Sequence, residues 1–443
     1  MRKKPGEFPG SDYDDIRVGA SGGIKGRFSQ LVNLRTFNSL RIPAFRFFWA
    51  ALLCQMTAMN MQMMARSLLI YRITGSTAIL GIMSLFNAAP MLLLSLFGGV
   101  LADRLPKKKV MIFGQAGSAV VALGIALSLQ MGFLSEANEG SWWILAVAAL
   151  FQGTIMGLMM PSRQAMIPEI VGEEQLLNAV SLSNMGTSVM RFIAPAATGF
   201  LIDALDFQAV YFGMTIMYVL SVLFLVFLHV GDSTPLRASS ALADIKEGIG
   251  YLRRQTIILF ILAFSLLAVL LSMPYAMLLP VFTDDILMNS AGQPVGATGL
   301  GLLMSVSGIG AITVSLALAS LPNKRRGLML IIGTLIMALA LVVFAFSTSM
   351  ALSLVIIAFV GFGQASRMAL ANTLIQYYTD PEYRGRVMSI YMMQFGLTSF
   401  SAAVAGVIAE SVNIQWVIGG FAVTLIAISL VALAFAGRLR RLD

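Results

Sequence analysis

Twelve long apolar stretches organise this sequence, at 44–71, 76–101, 108–132, 141–160, 175–204, 208–230, 256–283, 297–320, 328–347, 350–376, 387–410 and 413–436. A helix that spans a bilayer needs about 20 predominantly apolar residues, and tilt or extension beyond the hydrocarbon absorbs any excess. Barrel strands would alternate in polarity and run about half as long. The stretches therefore predict helices whose solvent is lipid. Composition agrees: 58% of residues are hydrophobic and 12% charged, against roughly twice that charged fraction in an ordinary soluble domain.

The charges fix a topology. If the N-terminus is cytoplasmic, the first tail and the even-to-odd loops hold nearly all Lys and Arg, including Arg104, Lys107, Lys108, Lys109, Arg163, Arg253, Arg254, Lys324, Arg325, Arg326, Arg384 and Arg386. The opposite loops hold Arg72 and the acids Glu136, Glu139, Asp206, Asp284 and Asp285. This is the positive-inside pattern, and it places both termini in the cytoplasm and the chain in the cell membrane as a multi-pass protein. The net charge of +9 is thus read as topology, and no nucleic-acid partner is expected.

The division that follows is a disordered cytoplasmic tail at 1–41, a six-helix bundle at 42–230, a cytoplasmic connector at 231–255, a second six-helix bundle at 256–436, and a short cytoplasmic tail at 437–443. The first apolar run begins too late and runs too long for a secretory signal. In the connector, Leu242, Ile245, Ile249 and Leu252 share one helical face, which predicts an amphipathic helix at the membrane surface.

The two halves echo each other. "GLMMPSRQAM" at 157–166 is similar to "GFGQASRMAL" at 361–370, and "LPKKK" at 105–109 to "LPNKR" at 321–325. Repeated halves joined by a central connector point to a secondary transporter with a midplane site between them. No GxxxxGK[ST] motif for a nucleotide occurs. One cysteine, Cys54, and one histidine, His229, exclude an internal disulfide, a Cys/His metal cluster and a histidine-based triad beyond His229 itself. No enzyme activity and no cofactor are expected.

Gly99-Val-Leu-Ala-Asp103-Arg104-Leu-Pro106-Lys107-Lys108 resembles the signature between helices 2 and 3 of the major facilitator superfamily, with Pro106 in place of a glycine. "SLRIPAFRFFWAALL", "PSRQAMIPEIVGEEQLLNAVSLSN", "RFIAPAATG", "DIKEGIGYLRRQ" and "YRGRVMSIYMM" resemble the branch that holds the enterobactin exporter and macrolide efflux proteins. The resemblance covers about residues 38–436. It implies the major facilitator fold, twelve helices in two pseudo-symmetric bundles, and proton antiport as the coupling. It also implies that Asp103 docks at the start of helix 11 near Arg386, supported by Arg104, as a cytoplasmic latch; an acid at a membrane edge needs a partner, and a helix N-terminus offers one. The blander reading of 103–109 is a topology-setting turn.

Arg191 sits near the middle of the fifth stretch, and no stretch carries a mid-span acid. A cation there is costly. It faces a watery cavity, reaches backbone carbonyls or meets an anionic ligand. Arg66, Asn60, Gln55, Gln152, Asn372 and Gln394 are the other candidate cavity residues; several could instead bond neighbouring helices. Pro195 and Gly199 form a small-residue patch suited to close helix packing, similar to the helix-5 motif of exporters. Arg163 and Arg367 hold matching places in the repeat and are read as gating or structural residues. The 29 methionines fit flexible filler or a cavity for varied ligands better than a copper path.

The expected function is export of a small amphiphilic, anion-leaning molecule, siderophore- or drug-like, by alternating access of a monomer in the bilayer, with protons as the candidate coupling ion. A lipid or lysolipid translocator and a transport-inactive receptor or scaffold are the alternatives.

Overall fold

The computed structural model describes residues 35–104, 106–229, 247, 250–320, 324–435 and 437, with backbone alone at 35–37, 95–104, 319 and 435. The N-terminal tail to residue 34, most of the connector and the last residues lie outside that set.

The architecture is all-α. Helix α1 (Pro43–Thr74) starts with proline at its first position, where the missing N–H costs nothing. It stops at Gly75, whose φ of 60° lets its N–H return to the Tyr71 carbonyl at 2.7 Å. Helices α2 (Thr77–Arg104) and α3 (Lys107–Gln130) follow. The chain from Trp143 to Phe227 is helical except at two points, Gly172 and Asp206, where φ is positive. If straight it would be about 130 Å long, some four times the thickness of a hydrocarbon core. The breaks fold it into α4 (143–171), α5 (173–205) and α6 (207–227). Asp206 breaks the helix with φ 71° and ψ 168°, outside the helical region, and its Oδ1 accepts the Phe207 N–H at 2.6 Å.

Helix α7 (Thr256–Ser272) continues through Pro274–Val281 and a wide turn at Phe282–Ile286. Then come α8 (Gly296–Ser320), α9 (Arg326–Ala345) and α10 (Met350–Tyr378). Helix α11 is Arg384–Met392 continued by Gln394–Ser411, and α12 is Ile414–Phe435. Among the described residues nine helices are long and apolar enough to cross a membrane, one of them the 89-residue run Glu139–Phe227. Helix α1 falls outside the nine because Gln55, Asn60, Gln62 and Arg66 dilute its apolar length. Large apolar side chains such as Phe113, Val120, Phe200, Leu316 and Trp416 stand exposed, as lipid requires and water penalises. The chain is a multi-span membrane protein.

Glycines set the closest approaches. A Cβ on Gly153 of α4 would lie 2.1 Å from the Asn87 carbonyl of α2, and one on Gly361 of α10 would lie 1.9 Å from the Ser307 carbonyl of α8. The same small-residue contact thus recurs in both halves.

The expected end of the fourth stretch at 160 is overrun. Helix α4 continues through Pro161 and Pro168 to Gly172, so Arg163, assigned to a loop by the charge count, sits within a helix. Of the connector only Glu247 and residues 250–255 fall inside the described set. There Leu252 is buried among Ile258, Val387 and Tyr391, and Tyr251 stacks on Tyr383 with centroids 4.4 Å apart. This end of the connector rests on protein.

Candidate functional site

Three sides of α1 are covered by its own half. Gln55 reaches the Met159 sulfur of α4 at 3.8 Å, Thr57 the Met190 sulfur of α5 at 3.1 Å, and the Ala51 carbonyl accepts from Ser221 of α6 at 2.9 Å. The fourth side carries Met59 and Met63, both exposed, and the half-buried Asn60, whose amide bonds back to the Met56 carbonyl at 2.7 Å.

Arg191 of α5 is exposed. About half a turn round the helix stand Val189, Ile193 and Phe200, exposed and apolar, the face suited to lipid. Arg191 shares its own face with Asn184, Thr187 and the buried Thr198. Helix α5 touches α1 through Gly186 and Met190, and α8 through Phe192, Pro195 and Gly199. Arg191 therefore looks into the gap between α1 and α8. Arg163 of α4 is half-buried and rests on the sulfurs of Met160 at 3.2 Å and Met56 at 4.0 Å. Arg66 is half-buried beside the phenols of Tyr211 and Tyr218. Among the described residues no acid lies in the middle of a helix. The first half thus offers guanidinium groups without carboxylates and a wall of thioethers, an arrangement that attracts an anion with apolar bulk.

The remaining candidate residues lie elsewhere. Gln55, Gln152 and Gln394 are buried between helices of their own half. Gln152 donates to Ser118 at 3.3 Å, and Gln394 accepts from Ser265 and Arg367, both at 3.5 Å. Asn372 is half-buried and accepts from Gln376 at 2.9 Å. Pro195 and Gly199 line the seam with α8: the Pro195 carbonyl stands 2.3 Å from where a Cβ on Gly301 would be, and a Cβ on Gly199 would lie 2.3 Å from the Ala297 carbonyl. Of the latch group, the side chains of Gly99, Asp103 and Arg104 lie outside the described set. Arg386 pairs with Glu247 of the connector at 3.0 Å and lies 5.4 Å from the centre of the Tyr383 ring.

The contacts between the halves begin at the end bearing Arg72 and the acidic loops. Arg72 Nε pairs with Asp284 Oδ2 at 2.9 Å, and the Tyr71 phenol donates to Asp285. Glu410, at the end of α11, accepts the Ala78 N–H at 3.0 Å and the hydroxyls of Ser76 and Thr77 at 3.1 and 2.9 Å, all at the start of α2. Asp203, near the end of α5, accepts the Thr298 N–H at 2.8 Å at the start of α8. Each half supplies a carboxylate to unpaired N–H groups at the start of a helix in the other. The seams run on through Ser84 to the Ser399 carbonyl at 2.8 Å, and through Ser305 to the Phe192 carbonyl. The charge pattern exposes these acids as end-of-helix residues, but nothing in the sequence names their partners across the molecule.

Comparison with known proteins bears directly on this arrangement. The chain is 23% identical to the staphyloferrin A transporter of Staphylococcus aureus, covering 80% of this chain and 86% of that one. It is 25% identical to the enterobactin exporter of Shigella boydii, covering 80% and 82%. Its fold is similar to that of a POT-family peptide transporter, with a TM-score of 0.70 at 14% identity over 90% of this chain and 95% of that one. It is also similar to a nucleoside transporter, with a TM-score of 0.67 at 11% identity over 87% and 99%. The family model described as Major Facilitator Superfamily matches residues 48–403 and 267–442. This protein is a secondary transporter of small molecules, not an enzyme, and belongs to the Major Facilitator Superfamily.

Proposed function

We propose that the protein exports a small amphiphilic anion from the cell by alternating access, with α1–α6 and α7–α12 as two six-helix bundles and both termini in the cytoplasm. The observation that carries the reading is Arg191, exposed on the α5 face opposite Val189, Ile193 and Phe200, with no acid in the middle of a helix among the described residues. A transporter for cations would be expected to carry the opposite charge there. The staphyloferrin A transporter and the enterobactin exporter among its relatives support a siderophore-like cargo; a drug-like macrolide is the weaker case.

On the positive-inside pattern the end bearing Arg72, Asp203, Asp284 and Glu410 is the outer one. The reading takes this conformation as closed outward and loading from the cytoplasm. In the opposite state Asp103, Arg104 and Arg386 latch the inner side, with Gly99 allowing close approach. Gln55, Asn60, Arg66, Gln152, Asn372 and Gln394 form or back the cavity. The protein works as a monomer, and proton antiport drives it.

Flux of an anionic siderophore from proteoliposomes, with and without an imposed pH gradient, tests the proposal. The expected result is gradient-driven flux that Arg191→Gln cuts about tenfold or more, the size of a lost charged hydrogen bond. Equal flux in the variant would sink the anion reading, and flux indifferent to the gradient would sink proton coupling. Faster movement of labelled lipid than of siderophore would favour a translocator, and binding without any flux a scaffold.

A further inference from the structure

A seam of polar groups runs through the interior of the first half, behind the α1 wall. On α1, Gln55, Gln62 and Arg66 fall on one side, spaced by seven and four residues. Gln55 meets Met159, whose sulfur also lies against Gly114, the neighbour of Gln115 on α3. One turn further along α3, Ser118 takes the Gln152 amide, and Gln62 accepts from the Tyr218 phenol at 3.2 Å. Tyr211 follows, two turns along α6 and beside Arg66.

The seam is not self-sufficient. Gln115 is fully buried, yet neither its amide oxygen nor its nitrogen has a partner. The Tyr211 hydroxyl and the Gln55 oxygen, on residues equally buried, also have none. Buried polar atoms left orphaned are rare in native proteins, and where they cluster the missing partner is water or an ion. Four orphans with Arg66 in one chain of neighbours far exceed what a dry apolar interior tolerates. Each has room in its chemistry for exchange: the amide donates and accepts, the phenol does both, and the guanidinium donates.

We infer that the interior of the first half holds a file of ordered water, from Gln55 and Gln115 to Tyr211, which meets the cavity at the half-buried Arg66. The file solvates the Arg66 guanidinium, so that its charge persists without a carboxylate. An anion that reaches Arg66 from the cavity then displaces water from one end of the file. The binding site is for water, and it stands whether or not the cargo is an anion.

X-ray radiolysis of the full chain in nanodiscs, read by mass spectrometry, tests this, because hydroxyl radicals form where water is bound. Tyr211 is 0% exposed and Tyr275, a buried tyrosine of the second half, 5% exposed. Burial alone would label Tyr275 faster. Bound water predicts several-fold faster labelling of Tyr211, and equal or slower labelling of Tyr211 overturns the proposal. A second variant separates hydration from chance reactivity. In Gln115→Leu, a wet seam loses two anchors, so Tyr211 labelling slows while Tyr275 stays unchanged. A dry seam would instead lose two orphaned atoms, raising the melting temperature with Tyr211 labelling unaltered, which also overturns it. Neither readout involves transport, so failure of the export reading leaves this test intact.

Discussion

Arg163 and Arg367 occupy matching places in the two copies of the repeat, yet their surroundings differ. Arg163 is half-buried against two thioethers. Arg367 is 3% exposed, donates to Ser265 at 2.9 Å and to Gln394 at 3.5 Å, and leaves its Nε without a partner. The same residue type at the same register rests on thioethers in one half and ties α7, α10 and α11 together in the other. A repeat fixes where a side chain starts; the facing helix decides what it does. On the proposed function the first half, with Arg66, Arg163 and Arg191, offers its charge to a ligand, whereas Arg367 of the second half holds three helices together.

Truncating the two arginines should expose that difference most strongly. Arg367→Ala removes charged hydrogen bonds and leaves a cavity, for a loss of about 2–4 kcal/mol. Arg163→Ala should cost under about 1 kcal/mol, since it loses only weak thioether contacts. Thermal unfolding in detergent measures both. Equal losses would mean that Arg163 is as structural as Arg367.

The two seams between the halves are more alike than the arginines, and bulk at their glycines tests how alike. A Cβ on Gly199 would meet the Ala297 carbonyl at 2.3 Å, and one on Gly406 the Thr77 carbonyl at 2.3 Å. Gly199→Leu and Gly406→Leu should each destabilise the closed end by about 1–3 kcal/mol through overpacking against backbone that cannot yield. Crosslinking across the α5–α8 and α2–α11 seams would report it. A variant that crosslinks as readily as the parent would show that its seam is looser than its geometry.

Much of this was legible in the sequence, for physical reasons that can be named. Lipid demands about 20 apolar residues per helix, so the stretches announced themselves. The residues that end them were less visible. Asp206 turns the chain with a φ of 71°, a conformation that no hydropathy pattern encodes. Helix α4 ran past Pro161 because a proline within a membrane helix is tolerated where neighbours satisfy the freed carbonyl. For the site, a mid-helix arginine such as Arg191 signals itself by its cost in lipid. The difference between Gln394, buried on Arg367, and Asn60, beside the exposed methionines, depends on which helix stands opposite. Sequence spacing cannot supply that, and the bond from Ser76 to Glu410, 334 residues apart, is the extreme case.

The smallest expected effects are also the sharpest test of the symmetry. Glu410→Ala and Asp203→Ala each remove a carboxylate from the start of a helix in the other half, a loss of about 1 kcal/mol apiece. With Cys54, the only cysteine, changed to serine, spin labels at the exposed positions Ala137 and Ser290 would read the distance across the closed end. Each single variant should raise the open fraction about fivefold, and the double variant about thirtyfold, if the caps act independently. Glu410 holds three donors against the one Thr298 N–H bonded to Asp203, so its variant should show the larger shift. Tyr71 and Arg72 lie between the two caps: Tyr71 donates to Asp285, and Arg72 pairs with Asp284 and stands near Gly296 and Asp203. A double variant no more open than Glu410→Ala alone would mean that the α2–α11 seam carries the closure and the α5–α8 cap follows it, leaving the two copies of the repeat equal in geometry and unequal in work.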